Sequence, residues 1–152
     1  MKTITYKYND QVSSFELFEL MKEMEKSTSD RFPAKNVFHY SLRNEEKELL
    51  SLKNTVSVTA RDNSNQDKLV GYLRLLTDHA YMFYILDVMV DPEYRKQGIG
   101  KKLLELTVNK CKENGFIKIF LTAIPGSEPF YENFGFKEGM SPVLTIRGED
   151  YI

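Results

Sequence analysis

The sequence predicts an α/β fold with a mixed sheet, and three patterns carry that prediction. An apolar run over 81–90, a helical pattern over 98–114 and a second apolar run over 116–122 make a strand–helix–strand unit. Its strands must be parallel, joined by a right-handed crossover. Upstream, 55–61 and 69–76 flank a polar loop at 62–67, as in an antiparallel hairpin. At the start, an alternating segment over 3–8 precedes a helix start signal, so strands and helices interleave from the beginning.

Each element has its own warrant. Residues 3–8 (Thr-Ile-Thr-Tyr-Lys-Tyr) alternate and carry β-branched and aromatic side chains, which suits a strand, and Asn9-Asp10 turns the chain. Ser13-Ser-Phe-Glu16 is a capping box, and Phe15, Leu17, Phe18, Met21 and Met24 follow at helical spacing to about Ser27. Residues 28–41 lack periodicity and form an aromatic loop with Phe32, Pro33, Phe38, His39 and Tyr40. A short helix is expected over 43–52. The strand over 55–61 alternates Val56, Val58 and Ala60, and Gly71 marks a bulge in the strand over 69–76. After a turn at Asp78-His79, the continuous apolar run over 81–90 reads as a central strand covered on both faces. The helix over 98–114 directs Ile99, Leu103, Leu104, Leu106, Val108 and Cys111 to the core and stops at Asn114-Gly115. After the strand over 116–122, Pro125-Gly126 breaks the chain. A short helix over 127–133 takes Ser127 as cap, and strands over 136–138 and 143–146 close the chain.

Composition narrows the function. The chain has 152 residues, 41% hydrophobic and 28% charged, which suits a single globular domain over 1–152. A net charge of −1 argues against a nucleic-acid binder. Cys111 is the only cysteine, so no internal disulfide forms, and two histidines, His39 and His79, are too few for a metal cluster. No apolar run approaches a membrane span and the N-terminus lacks a signal-peptide core, so a soluble cytoplasmic protein is expected, with no metal, nucleic acid or membrane partner.

The chemistry concentrates at the junction Val90-Asp-Pro-Glu-Tyr-Arg95-Lys96-Gln97-Gly98-Ile99-Gly100-Lys101-Lys102. A strand ends, a basic turn spaced by glycines follows, and a helix begins. The free N–H groups and positive dipole end of that helix make an anion site, and phosphate is the foremost biological anion. Glycines at 98 and 100 let a ligand approach the main chain. A P-loop is excluded, because Arg95 stands where its first glycine belongs and Lys102 where its Ser/Thr belongs. A dinucleotide fingerprint is excluded by Leu103 in place of a third glycine.

The Arg95-x-x-Gly98-x-Gly100 turn resembles the acyl-CoA-binding motif of the GCN5-related N-acetyltransferases. The Pro-Phe130-Tyr131-Glu-Asn-Phe134-Gly135-Phe136 segment resembles that family's short tyrosine-bearing helix. The element order β-α-α-β-β-β-α-β-α-β-β is similar too. The resemblance implies a fold whose two central parallel strands splay after a bulge, and an acetyl-CoA-dependent N-acetyltransferase acting by direct attack in a ternary complex. It implies that main-chain groups of Val88, Met89 and Val90 pair with the pantetheine arm, and that N–H groups of Lys96, Gln97, Gly98, Ile99, Gly100 and Lys101 hold the pyrophosphate. Arg95 shapes and charges the turn. Tyr131 matches the family's tyrosine and would protonate the departing thiolate. A main-chain N–H near Met89 would hold the oxyanion.

Asp87 is the only carboxylate inside the central strand; it either handles the amine's proton or makes a structural bond. Glu128 is a second acidic candidate, with Tyr84 and His79 behind it. Phe32, Phe38, Tyr40 and Asp87 are the expected substrate wall, suited to a small, partly apolar amine. A protein or peptide amine is the alternative substrate, and a noncatalytic acyl-CoA-binding domain the alternative of another class. The resemblance leaves monomer or homodimer open. One departure stands out: Ile124 occupies the place of an asparagine that contacts the pantetheine arm in many members, with Ser127 as a candidate substitute.

Overall fold

The structure, a computed structural model, describes residues 1–26 and 43–145. Phe32, Phe38 and Tyr40, expected to line the substrate site, lie outside the described residues, as does Ile146. The described chain clusters into two compact units, Met1–Thr122 and Ala123–Ile152.

The first unit holds a five-stranded sheet in sequential order: β1 (Ile4–Tyr8), β2 (Val56–Asp62), β3 (Lys68–Thr77), β4 (Met82–Val90) and β5 (Lys118–Leu121). Neighbours from β1 to β4 are antiparallel, and β4 and β5 are parallel. Helix α1 (Ser14–Glu25) starts at the expected capping box, in which Glu16 N–H donates to Ser13 Oγ at 3.1 Å and Ser13 N–H to Glu16 Oε2 at 3.0 Å. Its Leu17, Leu20 and Met21 pack with Leu69, Tyr72 and Met89 of the sheet. Each such side chain contributes about 1.5–3 kcal/mol by leaving water. Phe15, read as part of this face, is 72% exposed, because it sits about 200° round the helix from Leu17.

Helix α2 (Glu45–Asn54) is capped by Asn44, whose Oδ1 accepts from Lys47 N–H at 2.9 Å. Helix α3 (Ile99–Asn114) buries Ile99, Leu103, Leu104, Thr107, Val108 and Cys111 against β2, β3 and β4. Leu106 is only half-buried. A Cβ on Gly71 would stand 2.8 Å from Ile99 Cγ2, so this glycine is where α3 closes on the sheet. Neighbouring Tyr72 belongs to the α1 cluster, so α1 and α3 cover opposite faces.

Two register breaks shape the sheet. Ala60 faces Gly71 and Arg61 faces Leu69, leaving Val70 as the extra residue, one position from the predicted bulge. Arg74 faces Asp87 and Leu75 faces Ile85, leaving Leu86 extra on β4. The expectation of a β4 covered on both faces needs correction. Phe83, Ile85 and Met89 are buried, but Met82 and Leu86 are 37% and 41% exposed, so its apolar run exceeds its cover.

In the second unit, Pro125-Gly126 turns the chain into α4 (Glu128–Glu132). The two predicted closing strands are not formed among the described residues: 136–138 and 143–145 join no ladder. Val143 and Leu144 are 69% and 89% exposed, and strand propensity without a paired, half-buried setting does not make a strand.

Candidate active site

The parallel pairing of β4 and β5 stops early. It runs from Met82↔Lys118 to Ile85↔Leu121, where β5 ends and β4 continues to Val90. The β4 bulge at Leu86 falls at the next residue. Bulges bend and twist a strand and end its pairing. Asp87, Val88, Met89 and Val90 are therefore laddered to β3 alone, and their other edge has no strand partner among the described residues.

The turn after β4 is firmly held. Asp91 is fully buried; Oδ1 accepts from Glu93 N–H at 3.0 Å and Oδ2 meets Lys68 Nζ at 2.8 Å. Tyr94 closes a 3₁₀ turn (Pro92–Tyr94) and donates its hydroxyl to Asp62 Oδ2 at 2.8 Å. Sequence reasoning missed this Asp91–Lys68 and Tyr94–Asp62 pair of anchors. The available signal was Asp91-Pro92, a side-chain cap before a proline at the first helical position. Arg95 donates from Nε to Val90 O at 3.3 Å and from Nη2 to Met24 Sδ at 3.3 Å, so its side chain ties the turn to the strand end and to α1.

Lys96 and Gly98 then adopt left-handed conformations, φ 61° and 78°. Gly98 caps α3 without a side chain, and no acidic residue occupies the first turn. The first helical bond runs from Lys102 N–H to Gly98 O at 3.0 Å, so the N–H groups of Ile99, Gly100 and Lys101 precede the ladder. Helices α1 and α2, by contrast, have side-chain caps and glutamates at this end. A Cβ on Gly98 would meet nothing within 4 Å, so an anion has open access to the main chain. These features fit a phosphate-bearing ligand.

Asp87 lies in a network of four alternating charges. Its Oδ2 is 2.9 Å from Arg74 Nε, a contact too misaligned for a hydrogen bond, and its Oδ1 is 3.7 Å from Arg43. Arg43 reaches Glu48 at 2.8 Å, and Arg74 also pairs with Glu48 and with the Ser51 hydroxyl of α2. A carboxylate inside a strand needs a partner, and here it has two guanidinium groups. Beside Arg43, the face of α1 presents a groove of about 220 Å³ lined by Phe18, Met21, Lys22, Glu25 and Arg43.

The remaining candidates have local partners. Tyr84 stacks on Phe120 with centroids 4.5 Å apart, and its hydroxyl lies 3.3 Å from Thr122 Oγ1. His79 sits at φ 62° in the turn before β4, at the end of the strand remote from the bulge. In the second unit, Tyr131 packs edge-on to Phe130 and Phe136 at 5.0 and 6.2 Å. No hydrogen bond to its hydroxyl occurs among the described residues, and burial pushes its pKa above the ordinary 10.0. Ser127 Oγ donates to Ile124 O at 2.6 Å, and Glu128 Oε2 accepts from Gly126 N–H at 2.6 Å. Both side chains thus serve the turn that carries Ile124.

Comparison with known proteins bears on this geometry. The sequence model of the Acetyltransferase (GNAT) family matches residues 17–136. Over 76 residues, 50% of this chain, it is 37% identical to the histone acetyltransferase TAP1 of Glycine max, of which that stretch covers 33%. Over 54 residues, 36% of the chain, it is 41% identical to the glucosamine 6-phosphate N-acetyltransferase of Trypanosoma brucei brucei, of which 37% is covered. The chain thus spans about a third of the length of these curated relatives. The GNAT family protein SP0256 from Streptococcus pneumoniae TIGR4 superposes with a TM-score of 0.70 over 96% of this chain and 99% of its own, at 23% identity, a likeness of fold.

Proposed function

The chain belongs to the GNAT acetyltransferase family, and from that premise we propose that it transfers the acetyl group of acetyl-CoA to the primary amine of a small molecule. The observation that carries the reading is the coincidence of three features on one stretch. The end of β4–β5 pairing, the β4 bulge and the N-terminus of α3, which lacks a side-chain cap, follow one another from Ile85 to Lys101.

Acetyl-CoA supplies an activated thioester. The open edge of Val88, Met89 and Val90 offers main-chain groups to its pantetheine arm, and the N–H groups from Lys96 to Lys101 offer donors to its phosphates. As the amine nitrogen bonds to the acyl carbon, a main-chain N–H near Met89 takes the charge developing on oxygen. Its place in the matched family segment makes Tyr131 the residue proposed to give its hydroxyl proton to the sulfur as the carbon–sulfur bond breaks. Its raised pKa keeps that proton in place at neutral pH. Asp87 is engaged by Arg74 and Arg43, which favours a role in positioning β4; the amine then sheds its proton to solvent water, from which the Tyr131 phenolate is reprotonated.

The groove beside Arg43 offers an amine both apolar and charged side chains, and a relative named for glucosamine 6-phosphate favours a small one. A relative named for histones favours a protein amine as the second reading.

The test is thiol release from acetyl-CoA with panels of small amines and of peptides. Turnover with small amines is the expected result; turnover confined to peptides moves the assignment to a protein acetyltransferase. Tyr131→Phe should lower kcat by roughly 10²-fold with little change in acetyl-CoA affinity. Wild-type kcat should persist to above pH 10, since the raised pKa delays loss of the proton. CoA binding without turnover of any amine would leave a binding domain instead.

A further inference from the structure

We propose that Arg74 is a positioning residue for acetyl transfer, holding the bulge that opens the β4 edge. The proposal rests on the acetyl-transfer reading above. Arg74 is only 2% exposed and lies opposite Asp87, the first residue past the bulge; Leu75, its neighbour, lies opposite Ile85, the last residue before it. The register therefore changes directly beside Arg74. Its guanidinium is held on three sides: Nε against Asp87 of β4, Nη1 against Ser51 and Nη2 against Glu48 of α2. Glu48 is itself 3% exposed and is the only residue of α2 that is buried. This helix packs Leu52 against the α1 cluster but buries a glutamate and leaves Leu49 and Leu50 at 51% and 62% exposure, so its charge shares in placing it.

Buried ion pairs rarely stabilise a fold more than apolar side chains of equal volume, and their best-attested benefit is to fix a register. Here the alternative register is specific. Sliding β4 by one residue to heal the bulge would turn every side chain past Leu86 to the other face. Asp87 would leave Arg74 for the face where Ile99 and Leu103 close on Gly71. Met89 would leave its cluster with Leu17, Leu20 and Met21. The same slip would invert which main-chain groups of Val88 and Met89 point to the open edge. In the bulged register Arg74 serves both carboxylates, the half-buried Asp87 and the buried Glu48, and the slipped register would take Asp87 away from it.

The experiment compares Arg74→Lys and Glu48→Gln with wild type and with Arg61→Lys, whose ion pairs join β2 to α1 away from the bulge. Lysine keeps the charge but not the three-sided fork. Folding is checked by denaturant titration, and kinetics are read where every variant is folded. Arg74→Lys is expected to lower kcat by about tenfold, as a small misplacement of reacting groups does, with a weaker CoA affinity and a nearly unchanged amine KM. Glu48→Gln should shift both in the same direction by less, and Arg61→Lys should shift neither. In CoA-free protein, amide exchange at Val88, Met89 and Val90 should accelerate in Arg74→Lys more than in the rest of the sheet.

Lower stability with kcat, CoA affinity and exchange at β4 all unchanged overturns the proposal and leaves Arg74 a structural side chain. A wild-type protein that binds no CoA at millimolar concentration overturns the acetyl-transfer reading, and this proposal with it. A wild type that binds CoA beside unaffected variants overturns this proposal alone.

Discussion

At the residue scale, Gly98 and Arg95 divide the work of the basic turn. Gly98 holds φ 78° and opens onto space, whereas Arg95 spends its donors on Val90 O and Met24 Sδ. The cradle is therefore main chain, and the charge is secondary. Gly98→Val places a branched Cβ in the approach path and strains a left-handed position, so CoA affinity should fall by 10²-fold or more, roughly the loss of three or more kcal/mol. Arg95→Ala leaves the N–H groups and should cost about tenfold or less. Calorimetry with CoA and with its dephospho and pantetheine fragments reads both, and the opposite order contradicts a main-chain cradle. The glycine spacing was legible in the sequence because no other residue gives that backbone. The partners of Asp87 were not: Arg43, Glu48 and Arg74 come from separate elements, and only folding brings them to one carboxylate.

At the element scale, caps and ion pairs decide how α1 meets the sheet. Arg61 of β2 bonds Asp10 at 2.9 Å and Glu16, the capping-box residue, at 2.6 Å. Burial raises the pKa of both carboxyls, but hydrogen bonds from Arg61 and their other donors outweigh it, and both lie below their ordinary values. A carboxyl whose pKa is lower folded than unfolded stabilises above its unfolded pKa and loses that contribution as pH falls through the folded one. Glu16→Gln should therefore reduce stability by on the order of 1 kcal/mol at pH 7, and the gap to wild type should close below about pH 4. Urea midpoints measured from pH 7 to pH 2 check it; a gap constant with pH would mean that the charge contributes nothing. The capping box was legible because it is local, four residues read in a line. The bulge at Leu86 was not, because a bulge is a relation between two strands, and Val70 bulges where Gly71 had been expected to.

At the scale of the whole molecule, α3 packed on the sheet encloses Cys111, which is fully buried, with its thiol pushed up to about 11 by burial. It should resist alkylation at pH 8 in the native protein and become reactive in urea with the same midpoint as the loss of secondary structure. Labelling well before that midpoint would show that α3 leaves the sheet first. The sequence by itself determined the order of elements from β1 to α4, the βαβ unit, the anion-binding turn and the family, because periodicity, caps and glycine spacing are properties of neighbours along the chain. Only the tertiary structure decided where β4 and β5 part, which face each helix covers, and that Asp87 and Glu48 share two arginines. Those outcomes depend on register and on burial, and both are settled between segments far apart in sequence, where an exposed run such as 143–145 stays irregular despite its strand propensity.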